Sequence, residues 1–386
     1  RILLTVEDFY IRNNFMNKYN NNLNNDMFEN FPITRRQLRI FLCTFLAMFI
    51  MMSLQHLGVT APVNPMKLIT PLPLNTQAEQ PDTLKTVRPM LEEKQNTFTL
   101  KKPTAQIIAP AHASSVMDSA AGYAVVDLDT GEVIAAKDGS RPLPIASITK
   151  VMTAVVALDL ADSSELFAVS EHAATIEPTK IGVIPGQQMT LEELLNGLML
   201  VSGNDTAEVI REGIDAKYGE GVFIAAMNEK AKIIGLTNSS FANPQGFDDP
   251  NNYSSVEDLA ILTHYALAHY PELAEIVKKD YHFVPANGHH KQFDMFNWNG
   301  LLGVYPQAQG MKIGNTGDAK KTTIVTSTRG GKRMAAIVLG APRIIERDLW
   351  AAQLLDLGYQ RTLGLPAVNV TEKQLRAKYN TWKYWN

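Results

Sequence analysis

Ser147 and Lys150 lie three residues apart in a Ser-Ile-Thr-Lys run, directly before the apolar segment Val151 to Leu160. If a helix begins near Ser147, both side chains lie on one face of it, one turn apart. A serine hydroxyl beside an amine is a nucleophile with a candidate general base. The unpaired N–H groups at a helix start also favour negative charge that develops nearby. Alone, the run also fits a serine that caps a helix next to a solvated lysine.

Two further runs contain residue types suited to the same chemistry. Ser202-Gly203-Asn204 follows a strongly apolar helix end, so a turn there would place a hydroxyl and an amide in the interior or in a cleft. Taken alone, Gly203 is more simply explained as an ordinary helix terminator. Lys312 to Gly317 precedes the last predicted hairpin, where a glycine lets a ligand lie against a strand edge. An exposed lysine at a glycine-rich strand entry is the simpler alternative.

Taken together, the three runs resemble the penicillin-recognising serine enzymes, in which Ser-x-x-Lys, Ser-x-Asn and Lys-Thr-Gly occur in this order. The surrounding sequence is similar to the D-alanyl-D-alanine carboxypeptidase family, the low-molecular-mass penicillin-binding proteins. The similarity extends from about residue 120 to residue 364. It rests on the runs Pro144 to Lys150, Leu198 to Asp205, Phe241 to Gly246 and Tyr253 to Ser255.

The resemblance implies a role for each polar residue. Ser147 would be the nucleophile and would form an acyl-enzyme with the penultimate D-alanine of a peptidoglycan stem peptide. Lys150 would be the general base, with a pKa lowered by burial, by the nearby cation of Lys312 and by the helix dipole. Ser202 would relay a proton to the leaving D-alanine, and Asn204 would orient the substrate backbone and Lys150.

The same resemblance assigns substrate binding to the third run. The binding residues would be Lys312, Ile313, Gly314, Asn315 and Thr316. Lys312 would supply positive charge near the terminal carboxylate of the substrate. The backbone N–H groups of Ser147 and Asn315 would form the oxyanion hole. We expect no metal and no organic cofactor, and we expect β-lactam antibiotics to act as covalent inhibitors.

Ile313 departs from the family pattern, which has threonine between the lysine and the glycine. Isoleucine keeps the β-branch but lacks the hydroxyl that would donate to the substrate carboxylate. A lost hydrogen bond to a charged group costs roughly 1.5–3 kcal/mol, or about tenfold to a hundredfold in affinity or rate. Thr316 is close in sequence and is a candidate replacement donor.

Four functions are therefore open, and a serine-type D-Ala-D-Ala carboxypeptidase is the preferred one. A DD-endopeptidase is favoured by Ile313, because a cross-link need not present a free carboxylate there. A class A β-lactamase is disfavoured because Phe241 to Gly246 lacks a glutamate for deacylation. A cell-wall-binding or penicillin-sensing domain with an idle site is also favoured by Ile313, but the other motif residues oppose it.

The surrounding pattern predicts the elements that position these motifs. Ala121 to Val126 and Val133 to Ala136 predict one hairpin, and Lys321 to Thr328 and Met334 to Leu339 predict another. A long helical part lies between them, and a helix follows from Ile344 to Leu357. We expect an α/β (α+β) fold of the β-lactamase and penicillin-binding-protein type, an antiparallel sheet flanked by helices, with a separate helical lobe. The site would lie where sheet and lobe meet.

Composition and the N-terminal sequence set the remaining limits. The chain has 386 residues, a net charge of -3 and one cysteine, which gives no indication of nucleic-acid binding and excludes a disulfide framework. We expect a cytoplasmic or disordered segment at 1–39 and a signal sequence or membrane anchor at 40–60. The remainder would then be exported to the outer face of the cytoplasmic membrane or the cell wall, anchored or secreted. A Pro- and Thr-rich linker is predicted at 61–115, the peptidase domain at 116–364 and a C-terminal tail at 365–386.

Overall fold

The computed structural model describes residues 82–101 and 117–382. The predicted cytoplasmic segment, the signal or anchor and much of the predicted linker lie outside the described residues. Among the described helices, none is both long enough and apolar enough to span a bilayer.

The described residues form eleven β-strands and ten α-helices. The strands are β1 (Gly122–Asp127), β2 (Val133–Lys137), β3 (Leu143–Pro144), β4 (Leu166–Ala168), β5 (Gln188–Thr190), β6 (Tyr253–Ser254), β7 (Tyr281–Val284), β8 (Phe293–Phe296), β9 (Ala308–Thr316), β10 (Lys320–Arg329) and β11 (Lys332–Ala341). The α-helices are α1 (Asp82–Glu92), α2 (Lys150–Leu160), α3 (Glu171–Thr175), α4 (Leu191–Asn196), α5 (Asn204–Tyr218), α6 (Val222–Ile233), α7 (Val256–His269), α8 (Pro271–Lys278), α9 (Ile344–Leu363) and α10 (Glu372–Tyr379). Short 3-10 turns occur at Met117–Ser119 and Ala146–Thr149, and a π-helical turn at Gly197–Val201.

A five-stranded antiparallel sheet in the order β2-β1-β11-β10-β9 carries the site at one edge. Both predicted hairpins are present, as β1–β2 and β10–β11, and β1 pairs with β11 to join them. β9 adds the outermost strand by pairing with β10. From the sequence, Lys312 to Gly317 was expected only to precede the hairpin, whereas β9 is a full strand at the sheet edge.

The sheet is buried on both faces, because successive side chains of its strands point into two separate cores. In β1, Ala124 and Val126 belong to the core shared with the helical lobe, whereas Tyr123 and Val125 belong to the core under α9. The same alternation runs along β11. Helices therefore cover both faces of an antiparallel sheet, and the predicted fold class is confirmed.

The linker prediction is wrong for residues 82–101. The side chains of Leu84, Val87 and Leu91 lie on one face of α1 and are buried in the main core. The side chain of Lys230 donates to the Leu91 carbonyl at 2.6 Å. This spacing is that of an amphipathic helix, but Pro89 inside the helix weakened the signal in the sequence.

The predicted C-terminal tail also packs onto the domain in its described part. Leu375 of α10 is fully buried, and Leu365, Val368 and Val370 pack against the core under α9. The Tyr379 hydroxyl donates to the carboxylate of Asp348 at 2.7 Å. Residues 365–382 are therefore a folded extension of α9.

Candidate active site

Ser147 lies in the 3-10 turn Ala146–Thr149, which leads directly into α2. The sequence predicted one helix from Ser147, and the structure divides it into this turn and the α-helix from Lys150. Ala146 has a left-handed backbone conformation with φ of 52°, which costs an alanine about 1–2 kcal/mol. The turn presents Ser147 at the N-terminal end of α2, where the helix dipole is positive.

The amine of Lys150 contacts three oxygen atoms. Its Nζ lies 3.1 Å from Ser147 Oγ, 2.7 Å from Asn204 Oδ1 and 2.6 Å from the carbonyl oxygen of Gln245. The two amide oxygens can only accept hydrogen bonds, whereas a serine hydroxyl can also donate one. A neutral amine that donates to both amide oxygens therefore directs its free electron pair at the hydroxyl of Ser147.

Burial and charge favour the neutral form of Lys150. The side chain is fully buried, and this burial lowers its pKa well below the usual lysine value. The cation of Lys312 lowers the pKa further, and the carboxylate of Asp205 opposes the shift. Burial and the cation of Lys312 are the two causes of a lowered Lys150 pKa that the sequence predicted.

Ser202 and Asn204 meet the site at the junction between the π-helical turn and α5. The predicted helix to Val201 is instead α4 followed by the Gly197–Val201 turn. Ser202 itself adopts the left-handed conformation, with φ of 67°, that a C-terminal glycine would usually supply. Asn204 then begins α5 with its side chain on Lys150. Among the described residues, the Ser202 hydroxyl has no hydrogen-bond partner.

Asp205 fixes the segment beside this junction and was not predicted from the sequence. Its buried carboxylate accepts from the backbone N–H groups of Ile181, Gly182 and Val183 at 3.1, 2.8 and 3.2 Å. Burial raises the pKa of this carboxyl group. The arrangement holds residues 181–183 against the start of α5.

Strand β9 brings the third motif to Ser147. A methyl group built on Gly314 would lie 3.0 Å from the Ser147 nitrogen, so only glycine lets the strand pass at this distance. Asn315 follows with an exposed side chain whose oxygen accepts from Lys321. The Thr316 hydroxyl oxygen accepts from the N–H of Ala319 at 3.1 Å.

Lys312 and Ile313 precede Gly314 on the same edge strand. Lys312 is buried, and its Nζ donates to the carbonyl of Ile313 at 3.1 Å. Burial and the cation of Arg347 lower the Lys312 pKa to about 7. Ile313 is almost fully buried and lies on the opposite face of the strand from Lys312 and Thr316.

A protein-family model spans all three motifs of the chain. The model of the Peptidase S11 family, described as D-alanyl-D-alanine carboxypeptidase, matches residues 109–343. The chain belongs to this family. It is therefore a serine-type DD-carboxypeptidase, a hydrolase of the penicillin-binding class, and the predicted family and enzyme class are confirmed.

Individual members of the D-alanyl-D-alanine carboxypeptidase family show moderate identity. DacF of Bacillus subtilis is 32% identical over 70% of this chain and 70% of its own length. DacB2 of Mycobacterium tuberculosis is 34% identical over 65% of this chain and 87% of its own. The solved structure of the Streptomyces K15 DD-transpeptidase is 27% identical with a TM-score of 0.58, covering 67% of this chain and 99% of that one.

Two residues of this DD-carboxypeptidase that the sequence did not identify contribute to the electrostatics and geometry of the site. Arg347, at the start of α9, is fully buried and forms two hydrogen bonds to Asp348, at 2.7 and 2.9 Å. It is a fixed positive charge behind Lys312, and nothing in its local sequence indicates this. Gln245 lies in a run that carried the family resemblance, but its contribution to Lys150 is a backbone carbonyl.

Proposed function

We propose that the chain removes the terminal D-alanine from peptidoglycan stem peptides through an acyl-enzyme on Ser147. The observation that carries the proposal is the contact of the Lys150 amine with Ser147 Oγ at 3.1 Å. The N–H groups of the same amine donate to the amide oxygens of Asn204 and Gln245. A buried amine with a lowered pKa, aimed at a serine hydroxyl, is an activated nucleophile pair.

The reaction then proceeds in two steps, acylation of Ser147 and hydrolysis of the acyl-enzyme. Ser147 loses its proton to Lys150 as Oγ bonds to the carbonyl carbon of the penultimate D-alanine, and the N–H groups of Ser147 and Asn315 stabilise the oxyanion. The C–N bond breaks, and the leaving amine takes the proton from Lys150 through Ser202. Water later attacks the ester carbonyl carbon and gives a proton to Lys150. The bond from that carbon to Ser147 Oγ breaks, Oγ takes this proton from Lys150, and the shortened peptide leaves as a carboxylic acid.

The free edge of β9 is the docking position for the substrate backbone. An extended peptide can pair with an exposed strand edge, and Gly314 allows a close approach. Lys312 supplies positive charge for the terminal carboxylate, and the bound carboxylate favours the charged form of Lys312 that burial and Arg347 disfavour. Residues 312–316 are therefore the substrate-binding segment in this proposal.

The substrate also sets the cellular location. Stem peptides lie outside the cytoplasmic membrane, so the domain acts there, at the cell wall. The predicted signal or anchor at 40–60 would export the chain, and membrane attachment through that segment belongs to the proposal. β-Lactam antibiotics would acylate the same Ser147.

A DD-endopeptidase is the second candidate, favoured by two observations. Ile313 offers no hydroxyl for a terminal carboxylate. An open pocket also adjoins Val201, the residue before Ser202, with Phe296 and Trp298 in its lining and with Lys180 and Lys291 as cations. Such a pocket has room for the larger leaving group of a cross-linked peptide.

One experiment tests both candidates. The purified chain and its Ser147→Ala variant are incubated with a labelled penicillin, with a D-Ala-D-Ala pentapeptide and with a cross-linked peptide dimer. Labelling and D-alanine release, both lost in the variant, support the carboxypeptidase. Cleavage of the dimer without D-alanine release supports the endopeptidase. Absence of labelling, or label retained after Ser147→Ala, contradicts the nucleophile assignment.

A further inference from the structure

Gln245 joins the amine of Lys150 to a second buried residue. Its backbone carbonyl accepts from Lys150 Nζ at 2.6 Å, and its side-chain amide donates to the Glu208 carboxylate. Gln245 is 3% exposed and Glu208 5% exposed, so both contacts lie away from solvent. Glu208 is thus one residue removed from the proposed base.

Glu208 occupies the same face of α5 as Asn204. The two residues are four apart, which places them one above the other on the helix. Asn204 contacts Lys150 directly, whereas Glu208 reaches it through Gln245. One helix face therefore sets both acceptors that fix the orientation of the amine.

The Glu208 carboxylate is itself held in place. Its other oxygen accepts from Arg211 Nε and Nη2 at 3.0 and 2.7 Å, and His172 Nε2 lies 3.2 Å away from the same oxygen. Glu212 completes the ionisable side chains grouped around it. A carboxylate with one oxygen fixed by two donors of Arg211 can hold Gln245 in one position with the other oxygen.

Contacts within the loop act together with the Glu208 contact to restrain the Gln245 carbonyl. Asn243 Oδ1 accepts from the N–H groups of Gly246 and Phe247, and Thr153 donates to the Pro244 carbonyl at 2.8 Å. The Gly246 N–H and the Gln245 carbonyl belong to one peptide plane, so Asn243 restrains that plane from its nitrogen side. The contact of the Gln245 side chain with Glu208 restrains the same plane from the side of the Gln245 Cα.

We propose that Glu208 is a positioning residue, which holds Gln245 so that the Gln245 carbonyl directs the free electron pair of Lys150 at Ser147. This inference rests on the proposed role of Lys150 as the base. It extends that role to a carboxylate that does not touch the substrate. If the Gln245 carbonyl is free to turn away, the ammonium form of Lys150 loses an acceptor and the neutral amine loses its orientation.

Four variants test the inference through the pH profile of acylation by a labelled penicillin. Glu208→Ala and Gln245→Met remove the tether from its two ends, and Glu208→Gln keeps an oxygen that can accept from Gln245. Glu229→Ala is the matched control, since Glu229 is another buried glutamate that pairs with an arginine, Arg88, and is not among the residues that contact Lys150.

Glu208→Ala and Gln245→Met should each lower the acylation rate by about tenfold to a hundredfold, since small misplacements of catalytic groups have effects of this size. In both variants the acid limb of the rate–pH profile should move to lower pH. The ammonium form of Lys150 loses an acceptor while Lys312 and Asp205 still face it, so the Lys150 pKa falls. Their effects should not add in the double variant. Glu208→Gln should keep more of the parent rate than Glu208→Ala, because its one amide oxygen can still accept from Gln245, and Glu229→Ala should lower only the melting temperature.

If Glu208→Ala and Gln245→Met lower the acylation rate at every pH without moving the acid limb of the profile, the role of Glu208 is structural and the inference is overturned. Equal effects of Glu208→Gln and Glu208→Ala would also overturn it, because charge rather than position would then be responsible. An unchanged profile in Glu208→Ala would do the same. Failure of the parent chain to be acylated at all would instead contradict the proposed function on which the inference depends.

Discussion

The backbone of Gly314 passes so close to Ser147 that a methyl group on Gly314 would lie 3.0 Å from the Ser147 nitrogen. The same methyl group would lie 2.5 Å from Thr322 Oγ1 and 2.9 Å from the Ala146 side chain. Strand β9 and the Ala146–Thr149 turn are thus packed together without space for a side chain at Gly314. This contact places the N–H of Ser147 beside the segment proposed to bind the substrate.

Gly314→Ala should therefore displace the strand from Ser147. Overpacking of this kind costs about 1–3 kcal/mol in stability, and we expect a larger loss in the rate of acylation by penicillin. Gly317→Ala is the control, because a methyl group there meets only Asp248, at 3.5 Å. Equal acylation rates in the two variants would contradict the close fit.

Lys150→Arg tests whether the residue acts as a base and not as a charge. Arginine keeps the positive charge but does not lose its proton in proteins, so it cannot accept the proton of Ser147. We expect the acylation rate to fall by about a hundredfold to ten-thousandfold, the usual contribution of a general base. A measured rate within threefold or so of the parent, in a variant with a native melting temperature, would exclude the base role.

Ile313→Thr restores the hydroxyl that the family pattern has at this position. A hydrogen bond to the substrate carboxylate should raise kcat/KM on a D-Ala-D-Ala peptide by about tenfold to a hundredfold. No such gain is expected on the same peptide with an amidated C-terminus. Ile313→Val is the matched control, since valine has the shape of threonine without the hydroxyl. An equal gain in both variants would point to side-chain size.

The side chains that meet at the candidate site were predictable from the sequence, whereas the contacts that tune them were not. Ser147, Lys150 and Asn204 were predictable because the proposed chemistry depends on their side-chain types. The Gln245 contribution is a backbone carbonyl, which any residue type supplies. Arg347 comes from a helix distant in sequence, and its burial beside Lys312 depends on tertiary packing that no local pattern reports.

The same distinction explains which elements were predicted. The β-rich runs Lys321 to Thr328 and Met334 to Leu339 predicted β10 and β11 with bounds close to those observed. Helix α1 was missed because Pro89 and its polar neighbours hid three buried residues in a stretch of linker-like composition. Ser202 in a left-handed conformation was likewise not predictable, because glycine is the residue that usually marks it.

Lys312 should make the stability of the fold depend on pH. Its pKa is about 7 in the folded chain against 10.5 for an ordinary lysine. Between these values the unfolded chain holds the proton and the folded chain does not, so stability should rise with pH, by up to about 1.4 kcal/mol per pH unit from this group. Below pH 7 both states hold the proton and the contribution to the slope disappears.

Lys312→Met should remove this part of the pH dependence. The measurement is the free energy of unfolding in urea at several values between pH 6 and pH 10, compared between the variant and the parent. Lys373→Met, on the exposed side of α10, is the control and should leave the slope unchanged. A parent slope that the Lys312 variant retains would show that the lysine is protonated throughout.

Leu91→Ala tests whether α1 belongs to the folded domain. Leu91 is fully buried in the main core, and its carbonyl accepts from the buried amine of Lys230. Removing a buried leucine side chain usually costs about 2–5 kcal/mol, so the urea midpoint should fall clearly. Lys85→Ala changes an exposed residue of the same helix and should have little effect. If both variants unfold like the parent, residues 82–92 behave as a linker in solution.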